Sequence, residues 1–260
     1  MLMTMLDNQF IYSLITAIFV GGAAGYLGSL MVTKRMALVG DALGHVALPG
    51  VALALVYNFN VIVGALASLF FGIILIWLFK TKTEIYMEAL VGVVFAVSLA
   101  VAFLILSHEE LEEALIGDIA KVSGLETIIS VILISIIFLI IRKFLPKMIL
   151  GTLSEELAMS QKINVKKCDF IYLMSVGFIV ALGVKMTGSL LIGALVVIPP
   201  AAARNFSRTL RQYSYGGMII GIISCVLGII IYKITEFPAG PIIILISAVI
   251  FLISFIFRRE

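Results

Sequence analysis

Nine apolar runs separated by short polar connections constrain this chain more than any other feature. They occupy residues 10–31, 38–57, 61–79, 89–106, 128–141, 170–184, 190–203, 216–231 and 241–257. A water-soluble domain cannot hide this much apolar sequence. Only 13% of the 260 residues are charged and 62% are hydrophobic, too little polar material for a solvated surface. The runs are also too long and too many for a cleaved signal segment. They lack the strict alternation of an outer-membrane strand, so helices are expected. Several fall short of the roughly 20 residues that an upright helix needs to cross the hydrocarbon. With Pro49, Pro199 and Pro200 inside or beside them, the runs predict broken or tilted helices lining protein or water. The expected fold class is an all-α polytopic transmembrane bundle, residues 1–260 as one unit, with about nine spans; eight full spans and one partial span is the alternative.

Charge placement orients the bundle. With the N-terminus outside and nine crossings, the cytoplasmic side receives 15 of the 18 Lys and Arg residues, leaving Lys121, Lys185 and Lys233 outside. That asymmetry is a positive-inside signal. Lys and Arg exceed Asp and Glu by only 18 − 15 = 3, and they are scattered, so no nucleic-acid partner is indicated. Cys168 and Cys225 lack metal-ligand or CxxC spacing and read as free thiols.

Two connections stand out. The outer one, 107–124, carries His108, Glu109, Glu110, Glu112, Glu113 and Asp118, and its spacing predicts a short surface helix. The longest cytoplasmic one, 142–169, contains Thr152-Leu-Ser-Glu-Glu-Leu-Ala-Met159. Thr152 lies three residues before Glu155, the spacing of a capping box. Leu153, Leu157 and Ala158 give this predicted helix an apolar side, which rests on its own membrane surface or docks on a cytoplasmic partner. No GxxxxGK[ST] phosphate-binding loop is present, so any ATP that drives the protein is hydrolysed by another chain. Gly21 with Gly25, Gly64 with Ser68, and Gly217 with Gly221 have the small-xxx-small spacing of close helix packing.

Asp41 and His45 carry the chemistry. An ionisable residue inside a span is costly unless it faces a cavity or a partner. Four residues apart, the two share a helix face, and a carboxylate with an imidazole can hold a divalent transition metal. Two plainer readings stand beside this one: Asp41 as the N-cap of the second helix, and His45 as a hydrogen-bonded interface residue. Pro49 frees backbone carbonyl groups that a polar pathway can use. Two ligands do not complete a metal shell, so further oxygens, waters or a second copy would supply the rest.

These residues carry a resemblance. Gly40-Asp41-Ala-Leu-Gly44-His45-Val-Ala-Leu-Pro49-Gly50-Val-Ala-Leu-Ala54 resembles the signature of the membrane subunits of metal-ion ABC importers. The likeness runs through Leu90-Val-Gly92-Val-Val-Phe95-Ala96, Ile116-Gly117-Asp118, 188–203 and Phe237-Pro238-Ala239-Gly240-Pro241. It implies a permease subunit importing zinc, manganese or iron across a bacterial inner membrane, with no permanently bound cofactor. It also implies a second copy of the permease, cytoplasmic ATP-binding subunits and an extracytoplasmic metal-binding protein. Asp41 and His45 match the family's pathway ligands. The coupling helix matches 154–162, where Lys162 stands in place of the family's usual glycine. The alternatives are a permease for a metal chelate, such as a siderophore or cobalamin, and an intramembrane enzyme using Asp41 and His45 as an acid–base pair.

Overall fold

The computed structural model describes residues 8–117, 122–235 and 237–256. Every regular element among them is helical: α1 Asn8–Thr33, α2 Ala37–Val46, α3 Leu48–Val56, α4 Val61–Lys82, α5 Met87–Ile105, α6 His108–Ile116, α7 Gly124–Leu153, α8 Glu155–Ser160, α9 Val165–Thr187, α10 Ser189–Arg204, α11 Leu210–Thr235 and α12 Ala239–Ile256. Eight apolar helices among the described residues are long enough to cross a membrane when α2 and α3 are taken together. The ninth pass is α10, whose 16 residues span about 24 Å, short of the roughly 30 Å hydrocarbon core. About nine spans with broken helices are thus present among the described residues, eight long and one short, as the eight-plus-one alternative has it.

Polar contacts show that the passes alternate in direction. At one end Gln9 donates to the Val122 carbonyl, and Glu126 collects the Lys185 ammonium at 2.7 Å and the Asn60 amide at 2.8 Å. Asn60 also caps α4 by accepting from the Ile62 and Val63 N–H groups. At the other end Asp169 sits between Lys34 and Lys80, Ser29 bonds Ser214 at 2.8 Å, and Asn205 donates to Ser254. The basic connections cluster at this second end, which is therefore the cytoplasmic one. Buried ion pairs add little net stability, but each fixes the register of the helices it joins.

The α1–α11 seam is the most extensive helix contact in the bundle. Gly25 and Gly217 approach until the carbonyl of each occupies the space a Cβ on the other would need, and Gly221 meets the Gly21 carbonyl in the same way. The small-xxx-small pairs thus become backbone-to-backbone packing. Outside, α6 matches the helix expected in the acidic connection. It starts with Ser107 and Glu110 capping one another, and the bonds from the Ser107 N–H and hydroxyl hold the Glu110 carboxyl below the usual carboxylate range. The α6 end seats on the α9–α10 turn, where Gly188 has φ 77° and Ser189 donates to the Ala114 carbonyl. Asp118 and Lys121 lie outside the described residues.

The cytoplasmic connection differs from the sequence expectation in two ways. α7 does not end where its charges begin at Arg142. It continues through Pro146 to Leu153, 30 residues in all, because the proline costs one bond in a helix held by many. Thr152 is consequently inside α7, bonding the Met148 carbonyl at 2.8 Å, and is not the cap of the next helix. Ser154 takes that role, accepting the Leu157 N–H at 3.2 Å. Cys168 and Cys225 are free and buried.

Candidate functional site

The site is built on α2, and its geometry follows from the helical offset between two pairs of residues. Gly40 and Gly44 lie one turn apart on one stripe; Asp41 and His45 lie on the adjacent stripe, about 100° round the axis. The glycine stripe packs against neighbours: a Cβ at Gly44 would strike the Ser189 carbonyl, and one at Gly40 would press on Met31 and Val196. α10 answers with Gly193, which has no room for a side chain because Asp41 lies directly against it. Asp41 therefore sits between Gly193 of α10 and the cavity that α5 borders, and His45 meets α5 at Phe95.

Asp41 is exposed in the single subunit and lies in the second turn of α2. The N-cap is Met36, with no side-chain cap, so the capping alternative for Asp41 fails. His45 is 7% exposed and meets the Phe95 ring edge-on, with centroids 5.0 Å apart. Its Nδ1 is buried with no hydrogen-bond partner among the described residues. A buried polar atom without a partner calls for a reason, and a satisfied interface histidine does not supply it.

Between α2 and α5 lies a cavity of about 220 Å³, lined by Leu38, Asp41 and Ala42 on one side and Glu88, Gly92 and Phe95 on the other. Glu88 is the carboxylate that sequence reasoning passed over. It sits in the first turn of α5 and reaches Asp41's cavity only through helix packing. The helix breaks at Ala47: the Gly50 N–H turns to the Ala47 carbonyl and the Val46 carbonyl accepts from the Ser68 hydroxyl at 2.7 Å, while Pro49, having no N–H, leaves the His45 carbonyl without its α-helical donor one turn on. No group of three or more His, Cys, Asp or Glu side chains converges to hold a metal among the described residues.

A family model described as the ABC 3 transport family matches residues 7–258. This chain belongs to that family. It is an ABC 3 membrane permease subunit, a transport component. The high-affinity zinc uptake system membrane protein ZnuB of Haemophilus influenzae is 31% identical over 254 residues, covering 95% of this chain and 97% of that protein. The manganese import system permease protein ScaB of Streptococcus gordonii is 29% identical over 247 residues, covering 94% and 89%. A chain of PsaBC from Streptococcus pneumoniae, solved in complex with Fab, has a TM-score of 0.84 at 27% identity, covering 96% of this chain and 92% of that one. These similarities span nearly the whole ABC 3 permease.

The cytoplasmic α8 divides the three apolar residues expected to couple to a partner. Leu153 and Leu157 are 78% and 58% exposed, and Met159 joins them at 58%. Ala158 is fully buried and seats α8 on the permease itself. Lys162 follows in the left-handed region, φ 57°, with its N–H bonded to Met159 and that of Ile163 to Ala158, both at 2.9 Å. This is the Schellman arrangement in which glycine is favoured.

Proposed function

We propose that this ABC 3 permease moves a divalent transition metal, zinc or manganese, into the cytoplasm, with Asp41 and His45 as its membrane ligands. The observation that carries the reading is the buried His45 Nδ1, without a partner among the described residues, one turn from an exposed carboxylate on the same face of α2. A hydrated cation cannot cross hydrocarbon, so the permease offers ligands that offset lost water without trapping the ion. Asp41 contributes charge, and His45 contributes a nitrogen that favours transition metals over calcium or magnesium.

The remaining parts follow the same logic. Asp41 is exposed on a face that cannot rest in lipid, and a second copy related by a two-fold axis would cover it and add its own pair of ligands. Leu153 at the end of α7, with Leu157 and Met159 of α8, offers an apolar contact to a cytoplasmic ATP-hydrolysing subunit, within the 142–169 connection. The acidic α6 faces outward, where a metal-delivering protein would dock.

The test is uptake of zinc and of manganese by the complete reconstituted complex carrying Asp41→Ala or His45→Ala. Each variant should assemble normally and lose at least about tenfold in uptake, the scale of one lost charged or ligating contact. Normal uptake by both variants at limiting metal would overturn the ligand assignment.

A further inference from the structure

We infer that Glu88 is a third cargo ligand, placed on the cytoplasmic side of Asp41 to take the metal at the exit step. The inference rests on the importer reading above. α2 and α5 both start at the cytoplasmic end and run outward, so their turns can be compared level by level. Glu88 lies in the first turn of α5, Asp41 in the second turn of α2, and His45 one turn further out. Asp41 and Glu88 line one cavity of about 220 Å³. His45 packs on Phe95, which lines the same cavity. The otherwise apolar wall is thus interrupted by an ordered series of ligand groups: imidazole, carboxylate, carboxylate.

The spacing gives the series a direction. Successive ligands on a helix one turn apart differ by about 6 Å in height, a distance over which an ion can be handed on without returning to bulk water. Imidazole holds transition metals more strongly than carboxylate oxygen does. Passing from His45 to Asp41 to Glu88 therefore exchanges a nitrogen donor for harder oxygen donors as the ion nears the cytoplasm. The first step loosens the grip and the second passes the ion between like donors toward the cytoplasm, which is what release demands of a conduction path. Gly92, one turn above Glu88, keeps the way open: no atom lies within 4 Å of where its Cβ would be. The plainer role for Glu88 is a carboxylate favouring the positive end of the α5 dipole. That role predicts a stability effect with no dependence on which metal is carried.

The deciding experiment measures manganese and zinc uptake separately in liposomes bearing the complete complex, with metal-loaded binding protein. The variants are Glu88→Gln, Glu88→Asp and, as a control, Glu84→Gln in the exposed connection before α5. Glu88→Gln should slow maximal manganese uptake about tenfold, the cost of one charged contact, and slow zinc less, since manganese depends more on oxygen donors. The half-saturating concentration of loaded binding protein should stay unchanged, Glu88→Asp should recover most of the rate, and Glu84→Gln should match the parent. Wild-type rates in Glu88→Gln would overturn the assignment. So would equal loss for both metals without recovery in Glu88→Asp, or failure of both variants to assemble, each of which fits a helix-end role. A parent complex that accumulates neither metal would instead overturn the importer reading itself.

Discussion

The α1–α11 seam and the α2–α5 wall both depend on glycine, and they use it in opposite ways. At Gly25 and Gly217 the absent side chain lets two backbones touch. At Gly92 the absent side chain leaves a space that nothing among the described residues fills. The seam is closed by the subunit alone, whereas the wall, with Asp41 and Glu88 on it, borders an open cavity of about 220 Å³. α8 belongs with the wall, since Leu153 and Leu157 project from the permease without cover. A bundle divided in this way joins a closed seam to an open wall, the combination that a transport subunit alternating access around a path would use.

The most severe way to break this comparison is to give both glycines a methyl group. Gly25→Ala would drive a Cβ into the Gly217 carbonyl, backbone that cannot swing aside, and should cost about 3 kcal/mol or more. The purified permease would then show a clearly lowered unfolding temperature or poor recovery from the membrane. Gly92→Ala meets open space and improves helix propensity, so it should change stability by less than about 1 kcal/mol, in the stabilising direction. Equal sensitivity at the two positions would dissolve the distinction between seam and wall.

A second pair of substitutions sharpens it on the cytoplasmic side. Leu157→Asp places a charge on a residue 58% exposed, so the isolated permease should keep its stability while capture of the ATPase subunit weakens by about 2 kcal/mol. Ala158→Asp puts the same charge at a fully buried position and should destabilise the permease itself. Pull-down of the ATPase subunit and thermal unfolding of the permease separate the two effects. If Leu157→Asp leaves both association and stimulated hydrolysis unchanged, α8 is not the coupling element.

The sequence exposed those parts of the site that lie along one helix. The Asp41 and His45 stripe follows from spacing alone, as does the glycine stripe beside it. Glu88 was not legible, because nothing local links the first turn of α5 to the second turn of α2; only packing does. The Glu126–Lys185–Asn60 cluster was hidden for the same reason, although Ser123 and Glu126 form a capping box that marks the start of α7. In the cytoplasmic connection two hydroxyls competed for one cap. Thr152 had the better motif with Glu155, but α7 carries its helix beyond Pro146 and absorbs Thr152, leaving Ser154 as the first residue free to cap α8. Helix ends are set by what the preceding helix can still hold, and charge marks them poorly when a helix protrudes from the membrane.

The smallest effect is expected at Lys162. Its left-handed backbone, φ 57°, closes α8 through the bonds of Lys162 and Ile163 back to Met159 and Ala158. A residue with a Cβ costs about 1 kcal/mol in that region relative to glycine. The motif forms anyway because two hydrogen bonds and the burial of Ala158 hold it. Lys162→Gly should therefore stabilise the end of α8 by about 0.5–1 kcal/mol, less whatever the freer unfolded glycine gives back. Slower amide exchange over residues 155–163 in the purified permease is the direct readout. Lys162→Ala removes the same charge but keeps the Cβ, so exchange should stay at the parent rate. Coupling should be unchanged in both variants, because the cap shapes α8 while Leu153 and Leu157 make the contact. If both substitutions lower ATPase capture equally with no change in exchange, the ammonium itself touches the partner. The side of α8 that awaits completion would then extend past its apolar tip.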